Sequence, residues 1–179
     1  MNKFQFVVLL SCLITYSSSL GFEEENITLR GGLNNARIAF ESKKIGHVAF
    51  MGGSITEMKG YRPIIMEWLQ KRYPETNFNF TNAGISSTCS TTGAFRFKRD
   101  ILSQGSIDLL FLEFAVNDDQ DAKHSPEACI RGMEGIIRHV RRKNPKTEII
   151  VTYFVNPGML EELKEGIEPT SMSAHEKVV

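Results

Sequence analysis

The sequence predicts an α/β fold: a doubly wound, mostly parallel sheet with helices on both faces, a flavodoxin-like three-layer sandwich. Two observations carry this reading. Short apolar runs recur at His47–Met51, Phe78–Ala83, Asp108–Phe114 and Glu148–Val155, and stretches of helical periodicity separate them. Parallel neighbours need a crossover, usually a helix. With 179 residues, 41% hydrophobic and 23% charged, the chain has room for one domain with a sizeable core.

Residues 1–19 differ from the rest. Lys3 gives a positive start, Phe4 to Tyr16 is mostly apolar, and Ser17, Ser18 and Ser19 are small enough for a signal peptidase. We expect a cleaved secretory signal over 1–19, a domain over 20–179, and a secreted, extracellular or periplasmic product. Leu9-Leu10-Ser11-Cys12 also resembles a lipobox, a second reading. No segment reaches the ~20 apolar residues of a stable membrane span. After cleavage Cys89 and Cys129 remain, either paired or as two small buried hydrophobes. Asn26-Ile27-Thr28 and Asn79-Phe80-Thr81 match the glycosylation sequon.

The first strand, His47 to Met51, ends at Gly52-Gly53. Tyr61, Ile64, Ile65, Trp68 and Leu69 then mark an amphipathic helix with Pro63 in its first turn. Phe78 to Ala83 is the second strand, closed by Gly84. A helix is expected around Ala94 to Leu102, and the third strand, Asp108 to Phe114, leads to Asn117. Ser125-Pro126 reads as a cap with a first-turn proline, and Cys129, Met133, Ile136, Ile137 and Val140 as the buried face of the next helix. Glu148 to Val155 is the fourth strand, and a last helix opens near Ser171 or Ser173.

Lys and Arg total 21 and so do Asp and Glu, giving a net charge of +0, so no basic field invites nucleic acid. Arg138, His139, Arg141, Arg142 and Lys143 cluster where a helix should end, and there cations complement the helix dipole.

Open α/β sheets bind ligands beyond the carboxyl ends of their strands. Ser54, Gly84 and Asn117 all fall there. Ser54 allows three roles: a nucleophile, an anion-binding hydroxyl, or a helix N-cap paired with Glu57 in a capping box. Acyl transfer also needs donors for an oxyanion, and the N–H groups of Ser54 and Gly84 with the amide of Asn117 are of that kind. A phosphate or flavin site would use G-x-x-x-x-G-K-[ST] or G-x-G-x-x-G, and the chain has neither, so no cofactor is expected.

Gly52-Gly53-Ser54-Ile55, Asn82-Ala83-Gly84 and Ala115-Val116-Asn117-Asp118 resemble, in order and spacing, the serine, glycine and asparagine blocks of the SGNH or GDSL-type hydrolases. The resemblance covers about Gly46 to Val155. It implies a serine esterase or acylhydrolase in which Ser54 forms the acyl-enzyme, while its own N–H, that of Gly84 and the Asn117 amide make the oxyanion hole. Two departures stand out. Gly53 occupies the place of the motif's aspartate, and the family's late D-x-x-H block has no counterpart after the fourth strand, which implies a domain incomplete at its C-terminus. Asp121-Ala122-Lys123-His124 has the spacing, but lies in the loop after Asn117 and reads as a surface turn. His47 and His175 read as structural or exposed, and His139 as part of the basic helix end. The expected substrate is a small-molecule or carbohydrate ester, with a short acyl chain. A catalytically silent domain that binds an ester or a glycan is the alternative.

Overall fold

The structure, a computed structural model, describes residues 26–179. The expected signal segment and lipobox lie outside the described residues. Residues 26–32 are the described end of one compact unit and are exposed; residues 33–179 form a second unit.

In that second unit β1 (Ile45–Gly52), β2 (Asn77–Gly84), β3 (Leu109–Leu112) and β4 (Glu148–Val151) form one parallel sheet in the order β2-β1-β3-β4. The chain leaves β1 in one direction to reach β2 and returns past it to β3. That reversal opens a crevice at the carboxyl ends of β1 and β3.

Alternation along each strand sends side chains to two cores. Val48, Phe50, Leu109 and Phe111 face α1 (Asn34–Glu41) and α3 (Tyr61–Arg72), joined by Ala36, Ala39, Phe40 and Leu69. Ala49, Met51, Leu110 and Leu112 face α4 (Ser90–Asp100) and α5 (Pro126–Lys143), which contribute Phe97, Met133, Ile136 and Val140. Phe50 and Phe111 stack with centroids 5.0 Å apart. Short helices complete the unit: α2 (Ser54–Glu57), α6 (Pro157–Lys164) and α7 (Thr170–Glu176).

The expected strands and long helices are present, with four differences. β4 stops at Val151 rather than Val155, because β3 ends at Leu112 and the bond from the Thr152 N–H to the Leu112 carbonyl is the last it can make there. β3 stops at Leu112 rather than Phe114, because Glu113 turns under the β1 end and Asn117 opens a π-helical turn over Asn117–Asp121. On α3 only Leu69 is fully buried, whereas Ile64 and Trp68 are 69% and 58% exposed, on a side of the helix turned from the sheet. α1 and α6 were not expected. Ser125 does cap α5, its hydroxyl accepting from the Ala128 N–H. Cys89 and Cys129 are free thiols.

Candidate active site

The β1 strand ends in two glycines for different steric reasons. A Cβ on Gly52 would fall 2.2 Å from Thr56 Oγ1 and 2.6 Å from Glu113 Oε2. A Cβ on Gly53 would fall 2.1 Å from Asn117 Oδ1. Both positions therefore admit a polar group against the backbone of the turn. Gly53 is the N-cap of α2, its carbonyl accepting from the Glu57 N–H at 3.0 Å, and Ser54 is the first helical residue. The half-buried Ser54 hydroxyl makes no hydrogen bond among the described residues. A capping box does not form: Glu57 turns instead to the loop after β2, accepting from the Ser86 N–H at 3.0 Å and from the Ser86 hydroxyl.

Gly84 closes β2 against the same short helix. A Cβ there would lie 2.3 Å from the Glu57 nitrogen and 2.6 Å from the Thr56 carbonyl carbon. Its N–H donates to Asn82 Oδ1 at 3.0 Å. Asn117 is buried beside Gly53; its Nδ2 donates to Asp121 Oδ2 at 2.7 Å and its Oδ1 has no hydrogen-bond partner. An amide nitrogen carries two hydrogens, so Asn117 keeps one donor beyond the one given to Asp121. Asn117 and Gly84 thus both press on the turn that bears Ser54.

Beneath this turn lies a polar layer that sequence reading missed. Glu113 is fully buried, its Oε2 accepting from the Thr56 hydroxyl at 3.0 Å, while Oε1 has no partner among the described residues. Burial pushes the Glu113 carboxyl above its ordinary range, with the Asp118 charge adding to the rise and the Thr56 and Gly53 donors opposing it. The Tyr61 hydroxyl lies 3.1 Å from Thr56 Oγ1, and burial pushes it up to about 12. From the other face Arg96, 5% exposed, donates to the carbonyls of Ala83 (2.7 Å) and Gly52 (3.1 Å) and pairs with Asp100 at 2.9 Å. The signal for Glu113 was present, a lone acid inside the apolar run Leu109–Phe114. Arg96 sits between two phenylalanines on α4, and nothing local distinguishes it from a surface arginine.

None of the four histidines bonds Ser54 among the described residues. His47 contacts Thr81 and Ser106, and His139 stacks on Phe97. His124 Nδ1 lies 3.4 Å from Asp118 Oδ1, and Asp121 serves Asn117, so the Asp121–His124 spacing does not make a pair. His175 is fully buried with Nε2 2.8 Å from Asp118 Oδ2.

Two groups have metal-ligand types, Cys89–Asp118–His124 and Asp118–Cys129–His175. Both share Asp118, which already accepts from the Ser90 N–H at 2.8 Å and from His175 at 2.8 Å. Burial and Asp118 push the Cys129 thiol up to about 12. Hydrogen bonding thus accounts for the cluster. An apolar groove of about 350 Å³ lies elsewhere, lined by Phe40, Ile65, Trp68 and Phe111 among others, and none of Ser54, Gly84 and Asn117 lines it.

Comparison with known proteins adds kinship to this geometry. The model of the GDSL-like lipase/acylhydrolase family matches residues 50–172. A two-domain esterase active on acetylated mannans is similar in structure, with 28% identity and a TM-score of 0.59 over 75% of this chain. This chain spans only 34% of that protein's length. An alpha/beta hydrolase enzyme from the metagenome of Lake Arreo, Spain, has 18% identity and a TM-score of 0.57, covering 74% of this chain and 72% of its own. A variant of the acetyl xylan esterase Axe2 from Geobacillus stearothermophilus has 18% identity and a TM-score of 0.53, covering 75% and 73%. These last two share the fold. No curated protein sequence matches.

Proposed function

We infer the activity of this chain from its kinship: it belongs to the GDSL-like lipase/acylhydrolase family, and by family it is an ester hydrolase. We propose that it serves a secreted serine esterase acting on short-chain esters, carbohydrate esters foremost. Ser54 is the nucleophile. The Ser54 N–H and the Asn117 amide are oxyanion donors, and the Gly84 N–H is the third once the oxyanion takes it from Asn82 Oδ1. The observation that carries the reading is the convergence of Gly84 and Asn117 on the turn bearing Ser54, whose hydroxyl engages no other described residue. The carbohydrate preference rests on the acetylated-mannan and acetyl xylan esterases that share the fold. Secretion rests on the composition of residues 1–19.

In the proposed reaction the Ser54 oxygen attacks the ester carbonyl carbon as a base takes the hydroxyl proton. The carbonyl oxygen becomes an oxyanion held by the three donors. The carbon–oxygen bond to the alcohol breaks, the alcohol leaves with a proton, and water then releases the acid from Ser54 by the same route in reverse. Without its base a serine loses several powers of ten in rate, though the oxyanion donors still act. A second reading, a silent ester- or glycan-binding domain, is favoured by one observation: no described histidine bonds Ser54.

Hydrolysis of p-nitrophenyl acetate and of acetylated mannan oligosaccharides by the full natural protein separates the two. The esterase reading expects turnover that Ser54→Ala abolishes. Turnover retained by Ser54→Ala overturns the nucleophile, and saturable oligosaccharide binding without Ser54-dependent turnover establishes the silent domain.

A further inference from the structure

We propose that Glu113 is a positioning residue for Ser54: its buried carboxylate fixes the Gly52-Gly53 turn that presents the Ser54 hydroxyl and N–H. The inference rests on the esterase reading. Glu113 touches neither of the reacting atoms. It is fully buried, its Oε2 accepts from the Thr56 hydroxyl two residues after Ser54, at 3.0 Å, and the same oxygen lies 2.6 Å from where a Cβ on Gly52, two residues before Ser54, would fall. One carboxylate thus packs against the turn on one side of the nucleophile and bonds it on the other.

The neighbouring sterics fit this role. Gly52 has no side chain, and a Cβ there would strike both Glu113 Oε2 and Thr56 Oγ1, so the turn is shaped around these two oxygens. Alternation along β3 places Glu113 on the side of Phe111 and Leu109, toward α3, where Tyr61 backs Thr56 at 3.1 Å. A buried carboxylate with one unpartnered oxygen is costly to keep in a core that an apolar side chain could fill. Its cost is accounted for if it sets the position of the nucleophile.

A misplacement of ~1 Å in a reacting group can cost about 100-fold in rate. The test uses the full natural protein, with p-nitrophenyl acetate kinetics and labelling of Ser54 by a fluorophosphonate probe followed by intact mass. Glu113→Leu is expected to lower kcat and the labelling rate together by about 10- to 100-fold, with KM little changed. Glu113→Gln keeps an acceptor oxygen for Thr56 and the volume that packs against Gly52, and is expected to recover both to within about threefold of wild type. Thr56→Val removes one grip while keeping side-chain volume and carries the test if Glu113→Leu fails to fold. Its expected loss is about threefold to tenfold in labelling rate. Wild-type labelling in folded Glu113→Leu or Thr56→Val overturns the proposal, as does a loss that only tracks the unfolded fraction seen by near-UV circular dichroism. If the wild-type protein itself is not labelled at Ser54, the esterase reading falls and the positioning role with it.

Discussion

Gly53 and Gly84 flank Ser54 with different tolerances, and the difference is one of what a methyl group would strike. At Gly53 it meets the end of the Asn117 side chain, which can swing away; at Gly84 it meets the backbone of α2 at Thr56 and Glu57, which cannot. Gly53→Ala is therefore expected to leave the melting temperature within a few degrees while displacing the Asn117 amide, the proposed oxyanion donor. The expected fall in kcat is about 100-fold, the usual cost of losing one such donor. Gly84→Ala is expected to cost about 2 kcal/mol of stability, the range for overpacking, measurable as a lower urea midpoint. The place of the family motif's aspartate is thus taken by a glycine that leaves space for Asn117. Glu113 adds a pH signature. Its carboxyl is raised in the fold, so the neutral form is favoured there: its contribution is fully present below the ordinary carboxylate range and is lost as pH climbs through the raised value. Glu113→Gln cannot ionise. Its stability relative to wild type is expected to rise from pH 4 upward and then level off, which denaturant titrations across pH would reveal; a constant difference contradicts a raised carboxyl.

The elements were legible where one local signal sufficed. The glycines ended β1 and β2 where expected, and Ser125-Pro126 opened α5. Where two signals competed, sequence reading failed. The apolar run of β3 hid the turn at Glu113, because an acid buried under a neighbouring strand looks like one passing through a strand. α6 has its cap, Asn156 accepting from the Met159 N–H, and Pro157 at its start, but it is short and buries only Met159. α1 has no side-chain cap at all. That Ser54, Gly84 and Asn117 lie together was readable because they sit at strand ends. Their support was not, since it comes from side chains distant in sequence. Arg96 is the clearest instance: from α4 it holds the last carbonyls of β1 and β2. Arg96→Met keeps much of the stem but removes the donors to two buried carbonyls, while Asp100 keeps its pair with Arg99 and the Gly52 carbonyl keeps the Ile85 N–H. Its expected cost is about 2 kcal/mol, the range for hydrogen bonds to a charged group. Hydrogen exchange should rise first at Gly84 and Ile85; uniform exchange at wild-type rates would mean the strand ends are held by other contacts.

At the scale of the whole unit, the β2-β1-β3-β4 order gives two apolar layers that share one sheet, and Asp118 joins the elements on the α4 and α5 side. Its carboxylate accepts the first N–H of α4 through Ser90 and bonds the imidazole of His175 from α7, with the Cys129 sulfur of α5 within 4.8 Å. Asn117, next to it in the chain, faces Gly53. The two residues thus divide the work of one turn, one side chain toward the candidate site and the other into the scaffold. His175 is fully buried and Tyr153 rests against its ring with centroids 6.1 Å apart, so α7 docks through a polar contact as well as through Ala174. Replacing His175 with Ala removes a hydrogen bond to a buried carboxylate and leaves a cavity. The two effects together are expected to cost about 3 kcal/mol, read from chemical denaturation. Because residues 33–179 form one compact unit, the loss should lower a single cooperative transition rather than release α7 alone. If α7 amides instead exchange freely while the core strands keep wild-type protection, Asp118 anchors a separable helix and does not couple it to the sheet. The same variant separates scaffold from chemistry: folded His175→Ala should keep fluorophosphonate labelling of Ser54 within about threefold, since His175 bonds Asp118 and not the turn that bears Ser54.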